Sequence, residues 1–173
     1  LVASTSQGGS LLLAIGPKSN GVLPLHFALR MATVGKWLRI HGEAVYGAGA
    51  LALGDFLSYG RLTKRGRNVY VVIRFWDRKQ RLILNGFKTP VLRAVLVTTG
   101  QAIDVRQEDD VVELTGLPRV FRSLLFPVIR IECDEEPAVC DWTQDAGWLA
   151  QSGRLAQWAA ARGAGFAAVG EGV

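Results

Sequence analysis

Three kinds of side chain in this sequence are of a type that does chemistry: clustered carboxylates, two histidines and two cysteines. A carboxyl pair works as acid and base, or as acid and nucleophile, only when the two groups face each other across the reacting bond. Here Glu108, Asp109 and Asp110 are consecutive, as are Asp134, Glu135 and Glu136. Adjacent acids in a turn point apart and stay hydrated, so both runs read as solvated loops. His26 and His41 fall on a predicted helix or its end, where a surface or partner-facing role is commoner than a catalytic one. Ser4, Ser6 and Ser10 have no histidine at a spacing that suggests activation. Cys133 and Cys140 bracket "DEEPAV" with no histidine nearby, a poor match to the four ligands of a zinc site; a small disulfide loop and two part-buried thiols are both compatible with them. The run "GGSLLLAIGPKSNG" has neither the G-x-G-x-x-G order nor the Walker lysine spacing of a nucleotide site. Residue types and spacing thus assign no catalytic residue, no metal and no organic cofactor.

The elements that would have to position such groups change character along the chain. Leu11 to Ile15 is apolar on both strand faces, as in a strand covered on both sides. After the turn "KSNGVLP", Pro24 suits a first helical residue, since its missing N–H would have had no intrahelical partner. Phe27, Met31, Val34 and Leu38 then recur at helical spacing, with Arg30, Thr33, Lys36 and His41 largely off that face, and Gly42 suits a left-handed stop. From about Phe56 the pattern becomes short β runs between turns: Leu57 to Thr63, Asn68 to Trp76, Arg81 to Leu84, Val91 to Thr98, Ala102 to Gln107, Val111 to Leu114 and Leu125 to Cys133. Seven short strands with a turn every ten or so residues predict an antiparallel sandwich. Val69, Val71, Ile73 and Phe75 alternate with Tyr70, Val72, Arg74 and Trp76, one face plainly apolar and the other mixed, which predicts a central strand with both faces partly covered. Beyond Asp141, Trp148, Leu155, Trp158 and Ala159 could line one helix, ahead of an Ala/Gly-rich end.

Composition sets the outer limits. The 173 residues are 49% apolar, enough to bury one ordinary core, and no run approaches the roughly 18 to 20 apolar residues of a membrane span. The net charge of +5 is spread thinly, with concentrations at Lys64 to Arg67 and Arg74 to Arg81. "KRGRNVYVVIRFWDRKQR" is a weak nucleic-acid footprint; a solvated hairpin tip is the better account. Tyr59, Tyr70 and Trp76 are the aromatics a stand-alone carbohydrate-binding sandwich would expose, against the favoured reading that they are core or interface residues.

The wording of two segments goes further than their periodicity. "GGSLLLAIGPKSNGVLP" and "VGKWLRIHGEAVYGAGA" resemble the end of the catalytic barrel in the α-L-fucosidases, retaining glycoside hydrolases that remove terminal fucose. "YGRLTKRGRNVYVVIRFW", "LILNGFKTPVLRAVLVTTGQAIDVRQEDDVVELTGLP" and "VIRIECDEEP" resemble that family's C-terminal β-sandwich. The resemblance covers Ser4 to Pro137. Ser10, Ala14 and His41 stand where the family has asparagine.

The resemblance implies a mostly β chain: the last βα unit of a truncated (β/α)8 barrel over residues 1–50, an antiparallel β-sandwich over 51–137 and a tail over 138–173. Gly16, Pro17 and Lys18 would then lie at the barrel rim. The family's nucleophilic aspartate and acid/base glutamate come from earlier in the barrel and have no counterpart here, so the fragment is expected to be non-catalytic. The implied partners are fucosylated glycans, reached through the absent part of the barrel, with no nucleic acid, membrane or cofactor; the family points to an extracytoplasmic or lysosomal compartment. Without barrel neighbours, the Leu11 to Ile15 strand would forfeit on the order of 5 to 10 kcal/mol of burial, and would pack on the sandwich, fray or aggregate.

Overall fold

The computed structural model describes residues 1–51, 59–76, 80–121, 123 and 125–140. The helix expected around Trp148, Leu155, Trp158 and Ala159 lies outside them, as does the start of the strand expected from Leu57. The described chain is mostly β. Its strands are β1 (Gly49–Ala50), β2 (Gly60–Arg65), β3 (Asn68–Ile73), β4 (Leu82–Asn85), β5 (Val91–Leu96), β6 (Ala102–Glu108), β7 (Val111–Thr115) and β8 (Val128–Cys133). They form one antiparallel sheet in the order β1-β2-β3-β8-β5-β6-β7-β4.

The sheet curls, and β6 is where it turns. Its first residues pair with β5 (Ala94 with Ile103, Val95 with Ala102), whereas Asp104 to Glu108 pair with β7. A strand shared in this way carries the sheet round a corner, so β4 and β7 cover the inner face of β2, β3, β8 and β5. One continuous core results: Leu62, Val69, Val71, Ile73, Ala94, Ile129 and Ile131 meet Leu82, Leu84, Ile103, Val112 and Leu114. The Tyr59 hydroxyl, just ahead of β2, donates to the carbonyl of Ile83 in β4 at 2.9 Å, drawing the two ends of the curl together. At Gly60 the backbones are closest: a Cβ there would lie 2.2 Å from the carbonyl oxygen of Val72.

Hairpin chemistry sets the register. Arg65 pairs with Asn68 around Gly66, which has φ +54°. Glu108 pairs with Val111 around Asp109, at φ +51°, a conformation that Asp tolerates better than most residues. The first acidic run is therefore a hairpin tip. As expected, β3 is central and covered on both faces, with β2 and β8 beside it. It ends at Ile73, so Phe75 is exposed rather than part of the apolar face.

Two helices precede the sheet, α1 (Val2–Ser6) and α2 (Leu25–His41). Pro24 caps α2 from outside, at ψ 134°, rather than serving as its first residue. Gly42 is not a left-handed stop: at φ −60° it continues into a 3₁₀ turn, Gly42–Ala44, and the left-handed residue is Gly47, at φ +67°. Position 42 is crowded by a side chain: a Cβ there would meet the exposed Tyr46 ring at 2.9 Å unless the ring turned aside. The largest departure is Leu11 to Ile15. It has no strand partner and forms no strand, and Leu12 is 94% exposed. A strand exists only through its ladder, and this segment pairs with neither edge strand of the sheet, β1 or β4.

Candidate functional site

Gly16, Pro17 and Lys18 lie on exposed chain. The only order there is local: Lys18 N–H donates to the Val22 carbonyl, Gly21 N–H donates back to Lys18, and the Asn20 side chain accepts from Val22 N–H. No described side chain converges on the three.

Several carboxylates are matched with cations. Glu136 meets Lys64 at 2.8 Å and Glu113 meets Arg81 at 3.5 Å; Glu108 pairs with Arg106. The basic hairpin tip and the acidic 134–136 run are neighbours, Arg67 donating to the Asp134 carbonyl as well, so part of the positive concentration is neutralised where it stands. Cys133 and Cys140 are buried thiols not joined to each other, and the Cys140 thiol donates to the Asp110 carboxylate at 3.5 Å. Burial, with Asp134 adding to it, pushes the Cys133 thiol up to about 11, which makes it a poor nucleophile at neutral pH. Among the described residues no group of three or more His, Cys, Asp or Glu is placed to hold a metal ion, and no helix is long and apolar enough to cross a membrane.

The aromatic candidates for a sugar platform are turned inward. Tyr70 is buried and Tyr59 packs on the core, where burial raises its hydroxyl pKa. Trp76 also packs on the core, lies edge-on to Phe121 and donates its indole N–H to the carbonyls of Pro118 and Arg119. Their favoured reading as core residues holds.

What the structure does assemble is a joint between α2 and the outer face of the sheet. Trp37 and Ala44 and Val45 cover Tyr70, Val72 and Val128. The Trp37 indole N–H donates to the carbonyl of Phe126, just ahead of β8, at 2.7 Å. His41 is only 1% exposed, against the expectation of a surface histidine: its ring stacks on Trp37 with centroids 5.1 Å apart, Nδ1 lies 3.1 Å from the Trp37 carbonyl and Nε2 lies 2.9 Å from Thr98 Oγ1. His26, by contrast, is exposed. Beside this knot Arg130 of β8 grips both oxygens of Glu43, at 3.2 and 3.3 Å, and the Tyr70 hydroxyl reaches the same carboxylate. Thr63 of β2 donates to the Ala44 carbonyl at 2.7 Å. The row continues along the sheet: Arg130 also meets Glu132, which Arg93 of β5 holds through two hydrogen bonds.

Trp37, Glu43, Thr98 and Arg130 were not singled out by sequence reasoning. The signal available was the four-residue spacing of Trp37 and His41, which puts both on one helix face. That face is one step round from the Phe27, Met31, Val34 and Leu38 stripe, whose members are only half-buried. Thr98 and Arg130 join the knot through strand order, which spacing does not reveal.

Comparison with known proteins places this joint. A family model described as alpha-L-fucosidase matches residues 1–43, the segment that ends in it. The tissue alpha-L-fucosidase of Bos taurus is 36% identical over 76 residues, 44% of this chain and 16% of that protein. The Rattus norvegicus tissue enzyme is 52% identical over 46 residues, 27% of this chain and 10% of that protein. The chain thus spans about a sixth or less of the length of these relatives. Among solved structures, alpha-L-fucosidase isoenzyme 1 of Paenibacillus thiaminolyticus superposes with a TM-score of 0.69 at 25% identity, covering 78% of this chain and 33% of that one. A GH29 alpha-L-fucosidase of Bacteroides thetaiotaomicron, trapped as a covalent intermediate, gives 0.69 at 25% identity over 76% of this chain and 30% of that one. The sequence match enters through α2 and the structural match runs on through the sheet: residues 1–43 are similar in sequence to the α-L-fucosidases, and the described fold is similar to that of solved members of the family.

Proposed function

We propose that this chain is the C-terminal part of an enzyme that hydrolyses terminal α-linked L-fucose, with residues 1–50 supplying the last βα unit of a (β/α)8 barrel and 51–137 a β-sandwich made by the curl of the sheet. Residues 138–173 are a tail to it. The observation that carries the reading is a coincidence of two boundaries. The family match stops at residue 43, and the same stretch carries Leu11, Leu12, Leu13, Val22, Leu23, Leu25 and Leu29 on its surface. Exposed apolar residues concentrated in one segment mark surface made to be covered, and a barrel's other staves would cover it.

In that setting Gly16, Pro17 and Lys18 follow the carboxyl end of the stave, the side on which such barrels hold substrate, and they contact fucosylated glycan at the rim. The reaction proceeds with retention through a glycosyl-enzyme intermediate formed by a carboxylate outside this chain; the covalent intermediate trapped in the B. thetaiotaomicron enzyme supports that route. Glu43, Glu108, Glu113 and Glu136 sit on cations, and with the reacting carboxylates outside it this chain by itself does not hydrolyse. The test is turnover of an aryl α-L-fucoside. The purified 173-residue chain is expected to give none above a boiled control, and the product of its reading frame extended upstream through seven further βα units to give saturable turnover. Activity of the chain alone, or an upstream frame that encodes no βα units, would overturn the proposal.

A further inference from the structure

The joint contains a group whose bonding changes with a proton. Neutral imidazole carries one N–H and one lone pair, and the surroundings of His41 use both: Nδ1–H donates to the Trp37 carbonyl, which has no hydrogen to give, and Nε2 is left to accept from the Thr98 hydroxyl. Thr98 lies in the turn after β5, so this second bond ties the last turn of α2 to the sheet. We propose that His41 is a proton-operated latch, fastening the C-terminal end of α2 to the sheet when neutral and loosening it when protonated.

On protonation a hydrogen appears on Nε2 where the lone pair was, so the Thr98 hydroxyl must turn to become the acceptor, and a full charge sits in a nearly inaccessible site. The groups that face it decide the balance. From the 3₁₀ turn comes Glu43, which favours the cation but is already engaged by Arg130 of β8 and the Tyr70 hydroxyl of β3. From the turn after β5 comes Thr98, which brings no charge, and from α2 itself the Trp37 ring and carbonyl. Burial outweighs the Trp37 carbonyl and Glu43 and holds the imidazole below its ordinary value of 6.5. The sign follows. The unfolded state, or a state with the latch open, takes up the proton first, so the joint is fully fastened above 6.5 and weakens as pH falls below it. The latch is a property of this chain's own residues and does not depend on the enzymatic reading.

The test uses the 173-residue chain and two measurements on it. The histidine ring resonances are followed by NMR from pH 8 to 4, His26 being the only other histidine. Amide hydrogen exchange, corrected for intrinsic rates, is followed over the same range. His41 is expected to titrate below 6.5, and protection at Lys36 to His41 to fall roughly tenfold for each pH unit between 6.5 and the titration midpoint, with β3 and β8 unchanged there. In His41→Gln that pH dependence disappears. The proposal is overturned if His41 titrates at or above 6.5, if it titrates without change in α2, or if α2 loses protection equally in His41→Gln. Should the variant lose the sheet as well, coincidence of the two transitions in the unaltered chain decides alone.

Discussion

Strand β3 and the Leu11 to Ile15 segment are both nearly unbroken apolar runs, yet Val69, Val71 and Val72 are wholly buried while Leu12 stands in solvent. The difference lies in partners. β3 has β2 on one side and β8 on the other, and the outer face it would have left wet is covered by Trp37, Ala44 and Val45. Leu11 to Ile15 has the composition of a doubly covered strand and neither neighbour nor cover. An apolar run states that burial is required; only the rest of the chain decides whether burial is supplied. The sheet supplies that burial from its own strands and from α2, whereas Leu11 to Leu13 are left exposed.

The largest effect that tests this contrast is one substitution made in both regions. Leu114→Ala removes a wholly buried side chain from the core shared by both halves of the curl, and is expected to cost about 2 to 5 kcal/mol in urea unfolding. Leu12→Ala is expected to fall within about 0.5 kcal/mol of the unaltered protein. Comparable losses at the two sites would mean that the opening segment is packed in solution, and the contrast between regions would fail.

Glycines give a second, smaller comparison. Gly60→Ala drives a methyl into the Val72 carbonyl, a backbone atom that cannot step aside, and should cost on the order of 1 to 3 kcal/mol. In Gly42→Ala the obstacle is the Tyr46 ring, which is largely exposed and free to turn, so a smaller loss is expected. Gly16→Ala meets nothing within 4 Å and should be neutral to within about 0.5 kcal/mol. Melting temperatures ranked in any other order would place the crowding elsewhere.

How much of this was legible depends on the range of the interaction. Alternation and turn residues are local, and they located seven strands within a few residues of where they stand, missing only the two-residue β1. Helix α2 was found for the same reason; the five-residue α1 carries too little pattern to be seen. Strand order is not local. Nothing in the spacing of Val91 to Leu96 says that β8 will lie between it and β3, or that β6 will be shared between two neighbours and so bend the sheet. The joint was missed on that account: Thr98 and Arg130 reach His41 and Glu43 across 57 and 87 residues of chain. Leu11 to Ile15 was read as a strand covered on both sides and forms none, because a strand needs a neighbour to pair with and the segment has none among the described residues.

The smallest expected effect separates the regions by pH. The latch at His41 operates as pH falls below 6.5, but the sheet has its own acid-sensitive contact further down. Two hydrogen bonds from Arg93, reinforced by the charges of Arg93 and Arg130, hold Glu132 below the ordinary glutamate value of 4.5. A carboxylate held low stabilises the fold above its unfolded value, and that contribution is lost as pH falls through the folded one. The pair bridges β8 and β5 but is largely solvated, the Arg93 side chain being well exposed, so its worth is small and falls with salt. Glu132→Gln is therefore expected to lower urea stability at pH 7 slightly and to flatten the decline below pH 4.5, while leaving the exchange of α2 just below pH 6.5 as it was. If Glu132→Gln altered α2 exchange in the higher window, joint and sheet would be one electrostatic unit running Glu43, Arg130, Glu132, Arg93, and the two regions would have to be treated as coupled by charge as well as by packing.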